Sequence, residues 1–291
     1  VQERISDLLS SSGFHEALCN SLTKDSYTDG LDAFKKDSQV ILMNPLSQDL
    51  NAMRQTLLFG GLESLAYNIN RKVSDVLLYE FGNTYNRYGD DFVEERRLAL
   101  WMTGKKQEEN WNAGDAKVDF FHTKGFVEKL LQKLGLNKGV SLSQTQSDIL
   151  SEGVVYKIRK KKVVETGLVR KSILKTFGIK QEVFYADLNW DLIMEMLKDQ
   201  KTKYKEVSKF PIVRRDLALL LDQQIAFAEL ESIALRSDKS LLKEVNLFDV
   251  YQGDKLPAGK KSYALSFIFR DEEKTLTDKV VDKAILKIFK S

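Results

Sequence analysis

The chain has 291 residues, of which 43% are hydrophobic and 30% charged, and its formal net charge is +3. This length accommodates two domains with separate cores, and the composition excludes a disordered or fibrous chain. No apolar run approaches the roughly 20 residues needed to cross a bilayer, so no membrane partner is expected. The single cysteine, Cys19, cannot close an internal disulfide, which fits a reducing, cytoplasmic location. His15 and His122 stand apart, without the spacing of a zinc site. Residues 203–291 hold 17 Lys and Arg against 14 Asp and Glu, whereas the charges before them balance. The excess is a mild pointer to an anionic partner for the C-terminal segment.

Along the chain, Ile5, Leu8 and Leu9 predict a helix over 1–13 that stops at Gly13. Residues 14–22 read as a strand entering the core, and Val40 to Met43 as a short buried strand closed by Asn44-Pro45. Leu58, Leu62, Leu65 and Ile69 share one face of a helix over about 56–71. Its two glycines, Gly60 and Gly61, either weaken the first turn or allow close approach of another chain. Strands are predicted at about 74–82 and 96–104, with a polar, acidic loop from Asn86 to Glu95 between them. A helix follows, with Phe120, Val127, Leu131 and Leu134 on its apolar face. Strands at about 153–159 and 162–169 flank a basic tip, Arg159 to Lys162, and a last strand and helix fill 182–198. The pattern is α+β: an antiparallel sheet with flanking helices, without the regular alternation of a doubly wound fold. A Lys-rich linker, Lys198 to Lys209, precedes a strand-helix-strand-strand-helix order, one strand short of a ferredoxin-like unit. The expected domains are 1–200 and 205–291.

Four blocks of the C-terminal segment carry a resemblance: Phe210 to Ala218, Phe248 to Gly253, Gly259 to Phe267, and Arg270 through Asp278. In this order they resemble the ferredoxin-fold anticodon-binding domain of phenylalanyl-tRNA synthetases. Asn44 to Ser47, Met53 to Leu58, Asn68 to Arg71 and Leu78 to Gly82 are similar to the catalytic-like module of the family's bacterial-type beta subunit. The family has Pro-Gly where Phe59-Gly60 stands, and a Gly- and Pro-containing strand where this chain reads Glu165 to Ser172. The resemblance implies a class II synthetase-like sheet followed by a ferredoxin-like domain. The family domain ends in a further strand, so a truncated C-terminus is expected, and Val1 is read as the start of an excised fragment.

An active class II site needs an Arg aimed at the α-phosphate of ATP, an acid beside it and a second Arg on a Gly-rich strand. Arg54 lies in the segment resembling the dimer-forming motif. Glu80, Arg96 and Arg97 have suitable side chains but lack the Phe-Arg-x-Glu arrangement, and Gly167 and Arg170 lack the Gly-x-Gly-x-x-Arg loop. No catalytic residue and no metal ligand is therefore assigned, and the paired acids read as solvated turns. The resemblance implies an inactive scaffold that pairs with a catalytic alpha subunit as two alpha and two beta chains. It also implies tRNA-Phe as partner, with ATP and Mg2+ required by the holoenzyme. The candidate subunit interface is Asn44, Pro45, Arg54, Leu58, Gly60, Asn68 and Arg71; a purely core role for its apolar positions stays open. In the C-terminal domain, Tyr263, Leu265, Phe267 and Phe269 alternate onto the helix-covered face, leaving a small, polar face for RNA. Arg214, Arg215, Lys260, Lys261 and Arg270 are the cations expected to meet phosphates or bases, unless they only solubilise strand ends or pair locally, as Arg215 with Asp216. The alternative is a ferredoxin-fold regulatory module, binding a small molecule, on an inactive synthetase paralogue. A self-sufficient ligase with a cryptic site is a further rival.

Overall fold

The computed structural model describes residues 1–112, 114–198, 200, 204 and 206–290. The chain divides into two compact units, Val1–Lys201 and Thr202–Ser291. Much of the linker expected over 198–209 lies outside the described residues.

The first unit begins with α1 (Gln2–Ser10), β1 (His15–Glu16), β2 (Leu22–Thr23), β3 (Val40–Ile41), β4 (Ala52–Met53) and α2 (Leu58–Asn70). A long hairpin follows, β5 (Val76–Tyr88) and β6 (Asp91–Thr103), then α3 (Phe120–Lys133), β7 (Val140–Gln144), β8 (Leu150–Ile158) and β9 (Lys161–Val169). The unit ends with α4 (Lys171–Thr176), β10 (Val183–Asn189) and α5 (Trp190–Lys198). Its main sheet runs β1-β5-β6-β10-β9-β8-β7, antiparallel except where β1 lies parallel to β5.

Strand alternation sends each residue of β6 to one of two cores. Leu98, Leu100 and Met102 pack on one face with Ile5 and Leu9 of α1, Val127 and Leu131 of α3, and Trp190 and Ile193 of α5. Ala99 and Trp101 face the other way, onto Leu58, Leu62 and Leu65 of α2 and Ile173 and Leu174 of α4. Glu95 and Arg97 continue that second face beyond the reach of α2. There the sheet turns from apolar to charged and forms the floor of a cleft.

Three local expectations are corrected. Residues 86–95 are not a loop: β5 and β6 run on as a paired ladder to Tyr88 and Asp91, turning at Gly89 (φ +65°). Their polar side chains point to solvent while the backbone bonds stay paired, so polarity misled the reading. The segment 40–43 is not a buried strand; only Val40–Ile41 pairs, in a small β2-β4-β3 sheet, and Met43 is 96% exposed. The strand expected over 14–22 reduces to β1 and the first residue of β2. The chain at Arg159-Lys160 turns in two residues, both with positive φ (50° and 66°), the geometry a tight hairpin demands.

The second unit holds β11 (Val213–Asp222), α6 (Phe227–Ser237), β12 (Leu242–Tyr251), β13 (Lys260–Phe269) and α7 (Asp278–Phe289). The sheet order is β11-β13-β12, both pairings antiparallel. Tyr263, Leu265, Phe267 and Phe269 bury against Ala234 of α6 and Val281 and Ala284 of α7.

Gly61 makes the second core's geometry testable. A Cβ there would sit 2.0 Å from the Trp101 ring, whose indole N–H donates to the Leu58 carbonyl at 3.2 Å. Gly61→Ala should therefore destabilise the first unit by about 1–3 kcal/mol through overpacking; urea unfolding followed by Trp fluorescence measures it, and an unchanged midpoint counts against this packing.

Candidate functional site

The cleft of the first unit has a volume of ≈ 740 Å³, the size of a small-molecule site. Its floor is the charged end of the main sheet. Arg97 lies between two carboxylates, donating to Glu95 Oε2 at 2.7 Å and to Asp187 Oδ2 at 3.2 Å. Burial works against its charge, but Asp187 and Glu95 outweigh that and raise its pKa. Asp187 is held above the usual carboxylate range by burial, with Arg97 and Lys162 pulling it back. Asp187 and Glu165 are cross-strand partners; Glu165 accepts from Lys162 at 2.7 Å and from the Thr145 hydroxyl.

The cleft does not bring together the two arginines that the synthetase-type phosphate site was expected to need. Arg97 is the only arginine among the described lining residues, and its guanidinium already serves two acids. Arg96, next in sequence, points to the opposite face of β6. There it binds Asp191 at 2.6 Å, and the Asp191 pKa falls because these bonds outweigh its burial. Arg170 donates to the Leu150 carbonyl at 3.1 Å, away from any phosphate-binding role.

Arg54 is placed differently from the interface position expected of it. It is only 6% exposed and pairs with the fully buried Glu80 at 2.7 Å. The same guanidinium donates to the carbonyls of Asn83 (2.9 Å) and Cys19 (3.3 Å). Gly82 makes room: a Cβ there would lie 2.4 Å from an Arg54 nitrogen. The neighbouring Cys19 thiol is pushed up to about 12, by burial first and then by the Glu80 charge, so it is held as an unreactive thiol. Leu58 is likewise fully buried, in the second core, and Gly60 is closed by Cys19, whose Cβ would lie 2.9 Å from an added one. The close approach these glycines permit is therefore within the chain. Asn68 donates to the Ser64 carbonyl at 2.8 Å. Asn44 and Arg71 are exposed and Pro45 half-exposed; Arg71 lies over the Tyr67 ring, 3.4 Å from its centroid. Leu46, beside Pro45, is fully solvent-exposed, a large apolar side chain that the sequence reading did not single out.

In the second unit the free face of the sheet carries Arg214, Asp216, Leu220 and Asp222 of β11, Ser262, Ala264 and Ile268 of β13, and Tyr251 of β12. A bulge between Leu247 and Asp249 turns Phe248 onto this face, half-exposed, with the Arg214 guanidinium 5.3 Å from its ring centroid. Arg214 also pairs with Asp216 at 2.7 Å, and Lys260 with Asp222 at 2.7 Å. Arg270 sits beside Glu272 at 3.4 Å. Two of the expected cations are elsewhere. Lys261 has the parity of Tyr263 and turns inward, 5% exposed, donating to the Tyr263 hydroxyl (2.7 Å) and the Gln223 carbonyl (2.9 Å). Arg215 faces α7, where it binds Asp278 (2.5 Å) and Asp282 (3.7 Å) rather than Asp216. Alternation along β13 already implied the placement of Lys261, and alternation along β11 puts Arg215 on the face of Val213 and Leu217. Phe248 was hidden because a bulge breaks that alternation.

The buried pair should be costly to break and cheap to replace. Arg54→Met leaves Glu80 charged and unpaired, a loss of about 3–5 kcal/mol, while Arg54→Met with Glu80→Met should recover most of it. Chemical denaturation of the three proteins checks this; equal stability of the single and double variants would show that the pair is not what holds these segments.

The phenylalanyl tRNA synthetase beta chain CLM domain model matches residues 1–190, and the ferredoxin-fold anticodon binding domain model matches residues 208–291. The phenylalanine–tRNA ligase beta subunits of Bacteroides fragilis and Bacteroides thetaiotaomicron are 45% and 46% identical over the whole chain. That of Bacillus subtilis is 32% identical over the whole chain. The chain spans 37% of the length of the two Bacteroides proteins and 36% of the Bacillus one. Among solved structures, the pyrrolysyl-tRNA synthetase of Desulfitobacterium hafniense shares the fold, with a TM-score of 0.53 at 12% identity, covering 68% of each chain. With its synthetase-like sheet and its ferredoxin-like unit both matched in order, the chain belongs to the phenylalanyl-tRNA synthetase beta chain family, as its CLM domain and anticodon-binding domain.

Proposed function

We propose that this chain is the scaffolding and RNA-contacting part of phenylalanine–tRNA ligase, working beside a catalytic alpha subunit in an assembly of two alpha and two beta chains. The observation that carries this reading is the state of Arg97: the cleft has the size of a nucleotide site, but the one arginine among its described lining residues is paired with Glu95 and Asp187. A group so engaged cannot stabilise the charge that develops on a transferring phosphate. ATP and Mg2+ are accordingly assigned to the alpha subunit, and the first unit to holding that subunit in place.

The surface offered to the alpha subunit is the exposed part of the 44–71 segment: Asn44, Pro45 and the apolar Leu46 at its start, and Tyr67 and Arg71 at its end. Arg54, Leu58 and Gly60 support it from inside. Leu46→Asp with Tyr67→Ala should abolish co-elution of the chain with a co-expressed alpha subunit while leaving its thermal unfolding unchanged. Co-elution at wild-type yield would place the interface elsewhere.

The second unit meets tRNA-Phe on the free sheet face. Phe248 and Tyr251 offer rings for base stacking, and Arg214 and Lys260 offer cations whose present partners are exposed carboxylates. Arg270 lies at the end of the central strand. Exposed ion pairs of this kind are weak, so a phosphate can displace the carboxylate. Arg214→Ala with Lys260→Ala should flatten the salt dependence of tRNA binding, and Phe248→Ala should weaken it about tenfold at fixed salt, the loss of one stacking contact of 1–3 kcal/mol. Lys261→Met should leave affinity unchanged, because its ammonium is turned inward. Filter binding across a salt series decides, and wild-type affinity in the first two variants would remove this face from consideration.

A further inference from the structure

The hairpin joining β8 to β9 carries a run of cations that neither core uses. From Lys157 to Lys162 every exposed side chain is positively charged: Arg159, Lys160, Lys161 and Lys162 are exposed, Lys157 is half-buried, and only Ile158 turns into the core. β7 pairs Val140 with Ile158, so the chain leading into β7 brings the exposed Lys138 towards the same turn. Lys161 binds Glu195 at 3.2 Å and Lys162 binds Glu165 at 2.7 Å. Lys138, Lys157 and Lys160 form no ion pair among the described residues.

Two features of this hairpin work against its own stability. The two-residue loop, Arg159-Lys160, has positive φ at both positions (50° and 66°), a geometry for which Asn-Gly is the favoured sequence. A Cβ is disfavoured at either position, yet both residues carry long cationic side chains. Next to the loop, Lys157 stands directly opposite Lys162 in the ladder. Like charges at opposed positions destabilise a strand pair. Glu165 offsets Lys162, but no carboxylate among the described residues lies within ion-pair distance of Lys157. A turn that is unfavourable both in conformation and in charge points to a partner that uses its cations, because local rules are broken chiefly at functional sites.

We propose that the β8–β9 hairpin tip is a second RNA contact of this chain, in the first unit, and that it binds the phosphate backbone of the tRNA rather than its bases. The chemistry of the tip selects this partner. A protein interface draws on apolar and aromatic side chains at its centre and is poor in lysine, the opposite of what the tip exposes. With no exposed aromatic ring between Lys157 and Lys162, the tip also has no surface on which to stack a base. What it offers is closely spaced Lys and Arg, the groups that bind nucleic-acid phosphates without regard to sequence. A phosphate placed between Lys157 and Lys162 relieves the repulsion between them, and the exposed Lys161–Glu195 pair is weak enough to open. The inference rests on the reading that the chain contacts tRNA, but it uses a different unit and different residues from the sheet face around Phe248.

Filter binding of the 291-residue chain to tRNA-Phe across a salt series tests it, with Lys157→Gln combined with Lys160→Gly. This variant removes two cations, the opposed pair and one unfavourable φ together, so it should unfold at or above the parent's temperature. The expected result is binding weaker by about fivefold or more at low salt, and a slope of log affinity against log salt shallower by about 1–2. Lys160→Arg, which keeps the charge, should bind like the parent. Parent affinity and slope in the double variant would overturn the proposal while leaving the sheet face, tested by Arg214→Ala with Lys260→Ala, standing. A double variant that keeps tRNA binding but loses phosphatidylserine vesicles or the co-expressed alpha subunit would overturn it in favour of a membrane or a protein partner. No saturable tRNA binding by the parent would overturn both readings.

Discussion

The buried ion pair between Arg54 and Glu80 is the contact on which the arrangement of the first unit depends. It joins three segments distant in sequence: the stretch carrying Cys19, the strand β4 that leads into α2, and β5 of the main sheet. Such a pair gains little net free energy over an apolar replacement, since both charges leave water. What it supplies is register. A guanidinium with carbonyl acceptors at Cys19 and Asn83 and a carboxylate at Glu80 has one geometry that satisfies it, and Gly82 admits that geometry and no side chain. Because Arg54 lies just before α2, fixing it fixes where that helix starts. That in turn sets how much of the sheet's second face is covered.

The cleft follows from this coverage. Along β6 the inward positions read Glu95, Arg97, Ala99, Trp101. The last two need an apolar lid and receive one from α2 and α4. The first two are charged and pair with each other, and Arg97 also finds Asp187 on the neighbouring strand. The boundary between core and cleft is thus written in one alternating run of four side chains. The position of α2 makes the structure obey it. The synthetase-like sheet thus has two apolar cores, while its floor carries the charged side chains Glu95, Arg97, Glu165 and Asp187.

How much of this could be read from the sequence depended on whether a side chain's role was periodic. The amphipathic helices at Leu58–Asn70, Phe120–Lys133 and Trp190–Lys198, and the aromatic face of Lys260–Phe269, announce themselves by spacing. The ladder through Asn86 and Glu95 did not, because both of its faces are wet near the turn and the period-two signal vanishes. Nor did β7 or α4, which are short and of mixed polarity. Among the functional candidates, Arg54 looked like a surface residue because arginines usually are; its burial depends on Glu80, 26 positions later, and on a glycine beneath it. Lys261 is a plainer lesson. Parity along its strand placed it with Tyr263 on the inner face, and charge alone had suggested otherwise.

The two units also show how the same residue type is made available or withheld. Arg97 and Arg214 both sit on open sheet faces and both touch carboxylates. Arg97 is about a quarter exposed and shared by two half-buried acids, so releasing it costs more than releasing Arg214. Arg214 and Asp216 are each about half exposed, and solvent can replace either partner at little loss. Exchangeability, rather than the presence of an arginine, decides which face can greet a polyanion. By that criterion Arg97 is the less exchangeable of the two arginines. On the bulged sheet Phe248 is set beside a guanidinium whose only ion-pair partner, among the described residues, is the half-exposed Asp216.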